Sequence, residues 1–446
     1  MGGPSPQPSP RKRGEGARSD SLSLWERVGV RANALALSLL LVANMSHAAE
    51  PEFSGQVRAQ YLDQRANTRG PLAAADAVAP GLVELPSDGV IAEAELRASA
   101  HAGGVGFNGI ATLQSQRFEG SATDSRAWLN ELYASADAAG WQFSAGKKIV
   151  AWDVGYGFRP NDFVQQEARR TLLSVTPEGR PVLTAEHFDA STAWTFVLVN
   201  TTHSRNERGP DEPALAARVY QRDGAWDWHG FARLGARTGP SAGGAFAWVA
   251  SESLELHASA RYLARADTLA STASGTSSPL VAANPWQPAS VSHAAQALAG
   301  GTWTNEQQLS LLVEAWWDGT ALRDSQWDDW AARNARLGSL TGLASVPAAA
   351  LAGNLAWQAS AFNASGNLRR ANLFVRASWQ HDKWQPAVDV LYTPADAGRI
   401  VTASLGWQGD RVRLDGGLRL YGGPSSAVLA QVPTRRIVYV AGTWAF

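Results

Sequence analysis

A chain of 446 residues with 45% apolar side chains is long enough for several soluble domains or one large β-barrel, and its formal charge of -1 gives no field that would draw nucleic acid. The absence of cysteine excludes a disulfide framework, a thiolate metal site and cysteine catalysis. Nineteen tryptophans are far more than ordinary usage, and indole rings collect where an apolar phase meets water.

Ala34 to Ala43 form a ten-residue apolar stretch with Arg31 before it and Ser46-His47-Ala48-Ala49 after it. That is the pattern of a Sec signal peptide cleaved after Ala48 or Ala49, and the stretch is too short for the ~20 residues of a spanning helix. The Pro-, Ser- and Arg-rich residues upstream are unlike a signal n-region and read as a spurious extension. Residues 1–49 are therefore set apart from a single barrel domain at 50–446. Beyond Ala49 no apolar run reaches 18 residues, so no helix is expected to span a membrane.

The rest alternates with a period of two. From Val90 to His101, Ala92, Ala94, Leu96, Ala98 and Ala100 oppose Glu93, Glu95, Arg97, Ser99 and His101. From Leu254 to Arg265, Leu254, Leu256, Ala258, Ala260, Tyr262 and Ala264 oppose Glu255, His257, Ser259, Arg261, Leu263 and Arg265, a sorting no helix produces. In chain order the predicted strands lie near 53–63, 89–101, 106–117, 127–138, 141–151, 182–190, 193–202, 213–222, 226–237, 243–251, 253–265, 291–303, 306–318, 369–380, 383–393, 398–408, 411–422 and 435–446. Most have the length a tilted strand needs to cross a bilayer. Segments 182–190, 243–251 and 291–303 alternate least clearly, so sixteen strands remain open beside eighteen. Every even-numbered link is short, whereas 64–88, 118–126, 152–181, 203–212, 266–290, 319–368 and 423–434 are longer. This predicts an all-β, antiparallel transmembrane barrel with short periplasmic turns and long extracellular loops.

The chain closes on Arg436-Ile-Val-Tyr-Val-Ala-Gly-Thr-Trp-Ala-Phe446, an alternating strand ending in phenylalanine. With the signal pattern, it resembles the terminal strand of Gram-negative outer-membrane barrels, whose assembly machinery reads such a signal, and this makes Phe446 the expected assembly residue. The resemblance implies an outer-membrane location, with lipid and the barrel assembly machinery as partners. A second, looser resemblance rests on Asn130-Glu131-Leu132-Tyr133, a tight turn, Trp141 to Trp152 with Gly146-Lys147-Lys148, and Gly155 to Asp162. This hairpin leading into a long loop is similar to an element of porin-like and alginate-export-like barrels. The Trp152-Asp153 pair departs from the expected Trp-Gly. The resemblance carries over only Lys148, Arg159 and Asp162, as pore residues.

With the apolar face on lipid, the other face lines the interior, because charge at the bilayer midplane costs ~2–4 kcal/mol. Arg58, Arg97, Lys148, Arg218, Arg233, Arg237, Arg261, Arg265 and Arg413 are then pore-lining residues, with Glu255 and Asp415 among the opposing acids. The eighth to eleventh strands form the most basic wall. Arg159, Asp162, Arg169 and Arg170 make 152–181 the loop to narrow the pore by folding inward, while a plain external loop has the same composition. Trp316 takes the lumen register and is a candidate for stacking on a sugar ring. Glu186-His187-Phe188-Asp189 alternates between faces and forms no catalytic cluster, and no cofactor or metal is expected. The expected function is a passive outer-membrane channel for small hydrophilic solutes, anions among them. A conduit exporting a polysaccharide or small molecule, a barrel enzyme and a closed structural barrel are the alternatives.

Overall fold

The computed structural model describes residues 50–165, 171–173, 175–202, 211–273 and 279–446; the expected signal peptide and extension within residues 1–49, and Arg169 and Arg170, lie outside the described residues. The first nine strands are β1 (Glu52–Ala66), β2 (Gly89–Ala102), β3 (Val105–Phe118), β4 (Asp124–Ala138), β5 (Trp141–Lys148), β6 (Arg180–Phe188), β7 (Thr192–Val199), β8 (Ala214–Asp223) and β9 (Trp226–Gly235). The second nine are β10 (Gly239–Ser251), β11 (Leu254–Ser271), β12 (Trp286–Thr304), β13 (Leu309–Asp318), β14 (Ala371–Trp379), β15 (Trp384–Thr393), β16 (Gly398–Gln408), β17 (Val412–Gly422) and β18 (Thr434–Ala445). Each pairs antiparallel with its neighbours in sequence, and β18 pairs with β1, which closes an 18-stranded barrel with no free edge.

Closure satisfies the backbone, and period-two patterning then decides which face meets which solvent. Val57, Leu96, Leu132, Phe196, Leu215 and Val440 point outward and are exposed, as lipid contacts must be in the isolated chain. On the opposite face Glu93, Glu95, Thr195, Ser259 and Glu314 are buried. Tight turns need backbone that β-branched residues resist. In the β2–β3 turn Gly103 and Gly104 both take positive φ, 58° and 81°, as a two-residue hairpin of matching twist requires. Trp228, Trp379, Trp384, Trp407 and Trp444 lie on the lipid face near the short-turn end, as a girdle at one interface.

The three weakly alternating segments are the strands β6, β10 and β12, which gives eighteen rather than sixteen. β11 and β12 run further than their alternation indicates, pairing as far as Ser271 with Trp286. Alternation is imposed only where lipid faces one side. Beyond that level the hairpin packs Leu269 and Trp286 against loop residues instead. The long link after β13 is also more than a loop: it contains two helices (Asp324–Gly338 and Ala348–Trp357) and a 3-10 turn (Gln358–Asn363). With α1 (Pro71–Val78) ahead of them in the chain, these are α2 and α3, and they form a cap at the long-loop end. Trp327, Trp330 and Leu337 line the buried face of α2 at helical spacing. Leu337, Leu351 and Leu355 meet Ala75 of α1 in a small core of the cap.

The terminal residue completes the seam. Gly55 and Phe446 exchange both backbone hydrogen bonds at 3.0 Å, and a Cβ on Gly55 would meet the Phe446 ring at 2.7 Å. Deleting Phe446, or placing Asp there, is expected to reduce assembled protein without blocking secretion across the inner membrane. Heat-modifiable migration of outer-membrane fractions checks this; an unchanged yield would mean that the terminal phenylalanine is no assembly signal.

Candidate functional site

The interior is built around the 149–179 segment that follows β5. The lumen faces of β6 to β10 carry Val182, Val197, Val199, Ala214, Ala216, Phe231 and Ala245, an apolar patch where a wet channel would place polar groups. Val150, Trp152, Phe163 and Val164 of the segment bury against it, each large side chain contributing ~1.5–3 kcal/mol. The loop therefore folds inward because the inner wall offers it a dry face.

Buried polar groups fix its position. Asp153 accepts hydrogen bonds from Asn161 N at 2.5 Å and Ser259 Oγ at 2.9 Å. Asp162 Oδ1 accepts from the amides of Trp152 and Asp153 at 3.1 and 3.3 Å. Asn161 Nδ2 donates to Ser259 Oγ at 2.8 Å and to the backbone of β10 and β11. On β13 the fully buried Glu314 accepts from the amides of Tyr156 and Gly157 at 2.6 and 2.7 Å and lies 2.9 Å from His257 Nε2. A Cβ at position 157 would lie 3.0 Å from Glu314 Oε2 and 3.2 Å from the Trp316 ring, so glycine permits this approach. The returning part of the loop places Leu172 and Leu173 against Leu62, Ile437 and Tyr439, and Asn130 Nδ2 donates to Thr176 O at 2.9 Å. The described parts of the loop thus reach both the β13 wall and the β1–β18 seam.

Beside the loop, on the β14–β1 wall, lies a cavity of about 440 Å³. Arg58, Arg376, Arg413 and Arg419 line it together with Asp389 and Asp415, and Tyr156, Leu172 and Leu173 form its loop side. Arg376 pairs with Asp389 at 3.3 Å, Arg413 with Asp415 at 2.9 Å and Arg58 with Glu93 at 2.7 Å. Arg419 Nε donates to Thr402 Oγ1 at 2.9 Å. Four guanidinium groups thus share a wall with two lining carboxylates.

The basic residues that the sequence places on β8 to β11 also face inward, but the loop and local partners occupy them. Arg233 is buried on Glu212 at 2.9 Å and donates to Thr238 Oγ1. Arg261 donates to Pro160 O at 3.0 Å and to Ser241 Oγ, with its guanidinium 4.1 Å from the Phe163 ring centroid. Arg218 lies 3.2 Å from His229 Nδ1, Arg237 pairs with Asp267, and Arg265 donates to Arg237 O. Glu255 is half-exposed, 3.6 Å from His257. Elsewhere Arg97 pairs with Glu95 at 2.7 Å, Lys148 with Glu186 at 3.0 Å, and Arg159 Nε donates to Gly155 O. Trp316 is buried, stacked on Phe158 and bonded to Asn367, so its ring is spent on the loop. Glu186 and His187 are separated as their alternation requires, His187 bonding to Gly140 O.

Burial alone would raise the Glu212 carboxyl, yet hydrogen bonds from Thr238, the Arg237 amide and Arg233 hold it down to about 2. A lowered acid contributes stability above its ordinary range, and that contribution is lost as pH falls through about 2. Arg233→Ala would leave this buried charge unpaired and is expected to cost about 3–5 kcal/mol. Comparing heat-modifiability midpoints of wild type and variant checks it; equal midpoints would contradict the pairing.

No family model and no curated protein matches the chain. Among solved structures it is similar to OccAB1 of Acinetobacter baumannii (TM-score 0.52, 9% identity, 91% of this chain and 99% of that one). It is likewise similar to OccK5 (OpdH) of Pseudomonas aeruginosa (TM-score 0.51, 7% identity, 89% and 98%) and to OccD3 (OpdP) of the same organism (0.51, 8%, 90% and 92%). At such low identity the likeness speaks for the fold. The chain is a closed, antiparallel 18-stranded β-barrel, and in fold it is similar to these solved structures.

Proposed function

We propose that the barrel is a passive channel through which small hydrophilic solutes diffuse, with a preference for anions. The observation that carries this is the asymmetric seating of the 149–179 loop. It seals against the apolar patch of β6 to β10 and leaves a cavity on the opposite side, walled by Arg58, Arg376, Arg413 and Arg419. Guanidinium groups keep their charge at any physiological pH and fork onto carboxylate or phosphate, so an anion meets matched donors while a cation meets net repulsion. The adjacent Asp389 and Asp415 hold the arginines in place and prevent the wall from binding an anion too tightly to release it. Diffusion needs no cofactor and no moving part.

Uptake into proteoliposomes tests the reading. Vesicles carrying the protein should admit small organic acids faster than cations of equal size, and protein-free vesicles should admit neither. Equal impermeability of both sets of vesicles would end the channel reading. Faster entry of the cations would reverse its preference.

A further inference from the structure

The clasp that seats the loop contains a feature that diffusion through a rigid pore does not require. Asp153 and Asp162 stand within one turn of the loop, both buried, and each accepts backbone amides from the other's neighbourhood. The two oxygens of Asp162 differ: Oδ1 holds the Trp152 and Asp153 amides, while Oδ2 is buried and has no hydrogen-bond partner among the described residues. Two carboxylates this close repel when both are ionised, and a buried unpartnered carboxylate oxygen is costly unless it carries a proton.

The groups around Asp162 do not cancel this. Within the loop it faces Asp153 and Arg159, and Arg159 Nε is directed to Gly155 O. On β11 it faces Arg261, whose guanidinium donates to Pro160 O and Ser241 Oγ. The adjoining cavity of about 590 Å³ also carries Arg233, held by Glu212, and Arg237 and Arg265 with Asp267 on its far side. The β6 to β10 surface beneath the loop is the apolar patch.

We infer that Asp162 is a positioning residue that seats the constriction loop most firmly when it carries a proton, so that acid tightens the loop and neutral pH loosens it. Only the consequence for conduction rests on the channel reading; the seating itself follows from the clasp. Burial, with Asp153 beside it, pushes the Asp162 carboxyl from 3.8 up to about 6, while in a released, hydrated loop it returns to the ordinary range. Burial likewise pushes Asp153 up. A group whose pKa is raised in the seated state favours that state below its ordinary pKa, and the advantage is lost as pH rises through the raised value. The ratio of seated to released loop should therefore fall by about thirtyfold between pH 4 and pH 6 and by a further factor of about two above that.

Hydrogen exchange on the whole purified protein, expressed as protection factors so that intrinsic exchange is removed, reads this without any need for conduction. In wild type, protection of the Trp152 and Asp153 amides should fall as pH rises from 4 to 6 and then level off. Asp162→Asn carries a neutral side chain whose oxygen still accepts those amides, so their protection should stay high and flat with pH. Asp153→Asn removes the repelling neighbour and should move the wild-type transition to lower pH. The inference is overturned if Asp162→Asn keeps the wild-type response, if protection rises with pH, or if Asp153→Asn leaves the transition in place. A bilayer record on the same samples separates the two ideas. A pH-dependent loop in a non-conducting barrel sinks the channel alone, and a steady conductance with a pH-independent loop sinks only the switch.

Discussion

Replacing Glu314 with alanine is expected to raise single-channel conductance and add large fluctuations, because this one carboxylate ties the loop to the far wall. It is fully buried and holds the amides of Tyr156 and Gly157 as well as His257. Removing it leaves the Tyr156 and Gly157 amides and the His257 ring without their shared acceptor. Each such group left unsatisfied costs about 1–3 kcal/mol, which together is on the order of a hundredfold in the ratio of seated to released loop. The barrel wall remains intact, since β13 keeps its ladders to β12 and β14. Glu314→Gln retains one acceptor and should fall between wild type and alanine. Single-channel recording on heat-modifiable, correctly assembled protein checks the series. An alanine variant with wild-type conductance and noise would show that Glu314 does not set the aperture.

The second large effect is on charge selectivity, and it depends on which arginines are changed. Arg376→Gln with Arg413→Gln would leave two arginines against Asp389 and Asp415 in the lining, and anion preference should fall from several-fold to near unity. The matched pair Arg233→Gln with Arg261→Gln should hardly alter selectivity, because Glu212, Thr238, Ser241 and the Pro160 carbonyl already engage those groups beneath the loop. Its effect should appear as lost thermal stability. Reversal potentials of the two double variants in one salt gradient decide between these walls. A shift in the second variant and none in the first would place the selective field on β9 and β11 instead.

The barrel was legible in the sequence because lipid imposes a rule on every spanning strand. Outward positions such as Val57 and Leu96 must be apolar, inward positions such as Arg58 and Glu95 need not be, and the alternation fixes strand, face and register together. Where lipid does not reach, the rule lapses. The outer ends of β11 and β12 and the helical cap pack against other loops, so their residues answer to contacts distant in sequence. The site was legible only in part. Alternation correctly turns Arg233 and Arg261 inward, but it cannot show that Arg261 would meet Pro160 across 101 residues, or Glu314 the Tyr156 amide across 158. One sign was available: the inward positions of β6, β7 and β8 include Val182, Val197, Val199, Ala214 and Ala216, an apolar lumen face that asks for something to cover it.

On the proposed function the barrel is open beside its loop and lined there by excess positive charge. Purified protein in a planar bilayer under a tenfold potassium chloride gradient tests it most directly. A steady ohmic conductance is expected, with a reversal potential of the sign of chloride preference. Raising both salt concentrations should shrink that preference, since the screening length falls from ~10 Å at 0.1 M to ~3 Å at 1 M. A bilayer that stays silent although the protein is inserted, or a reversal potential of the cation-selective sign, would contradict it.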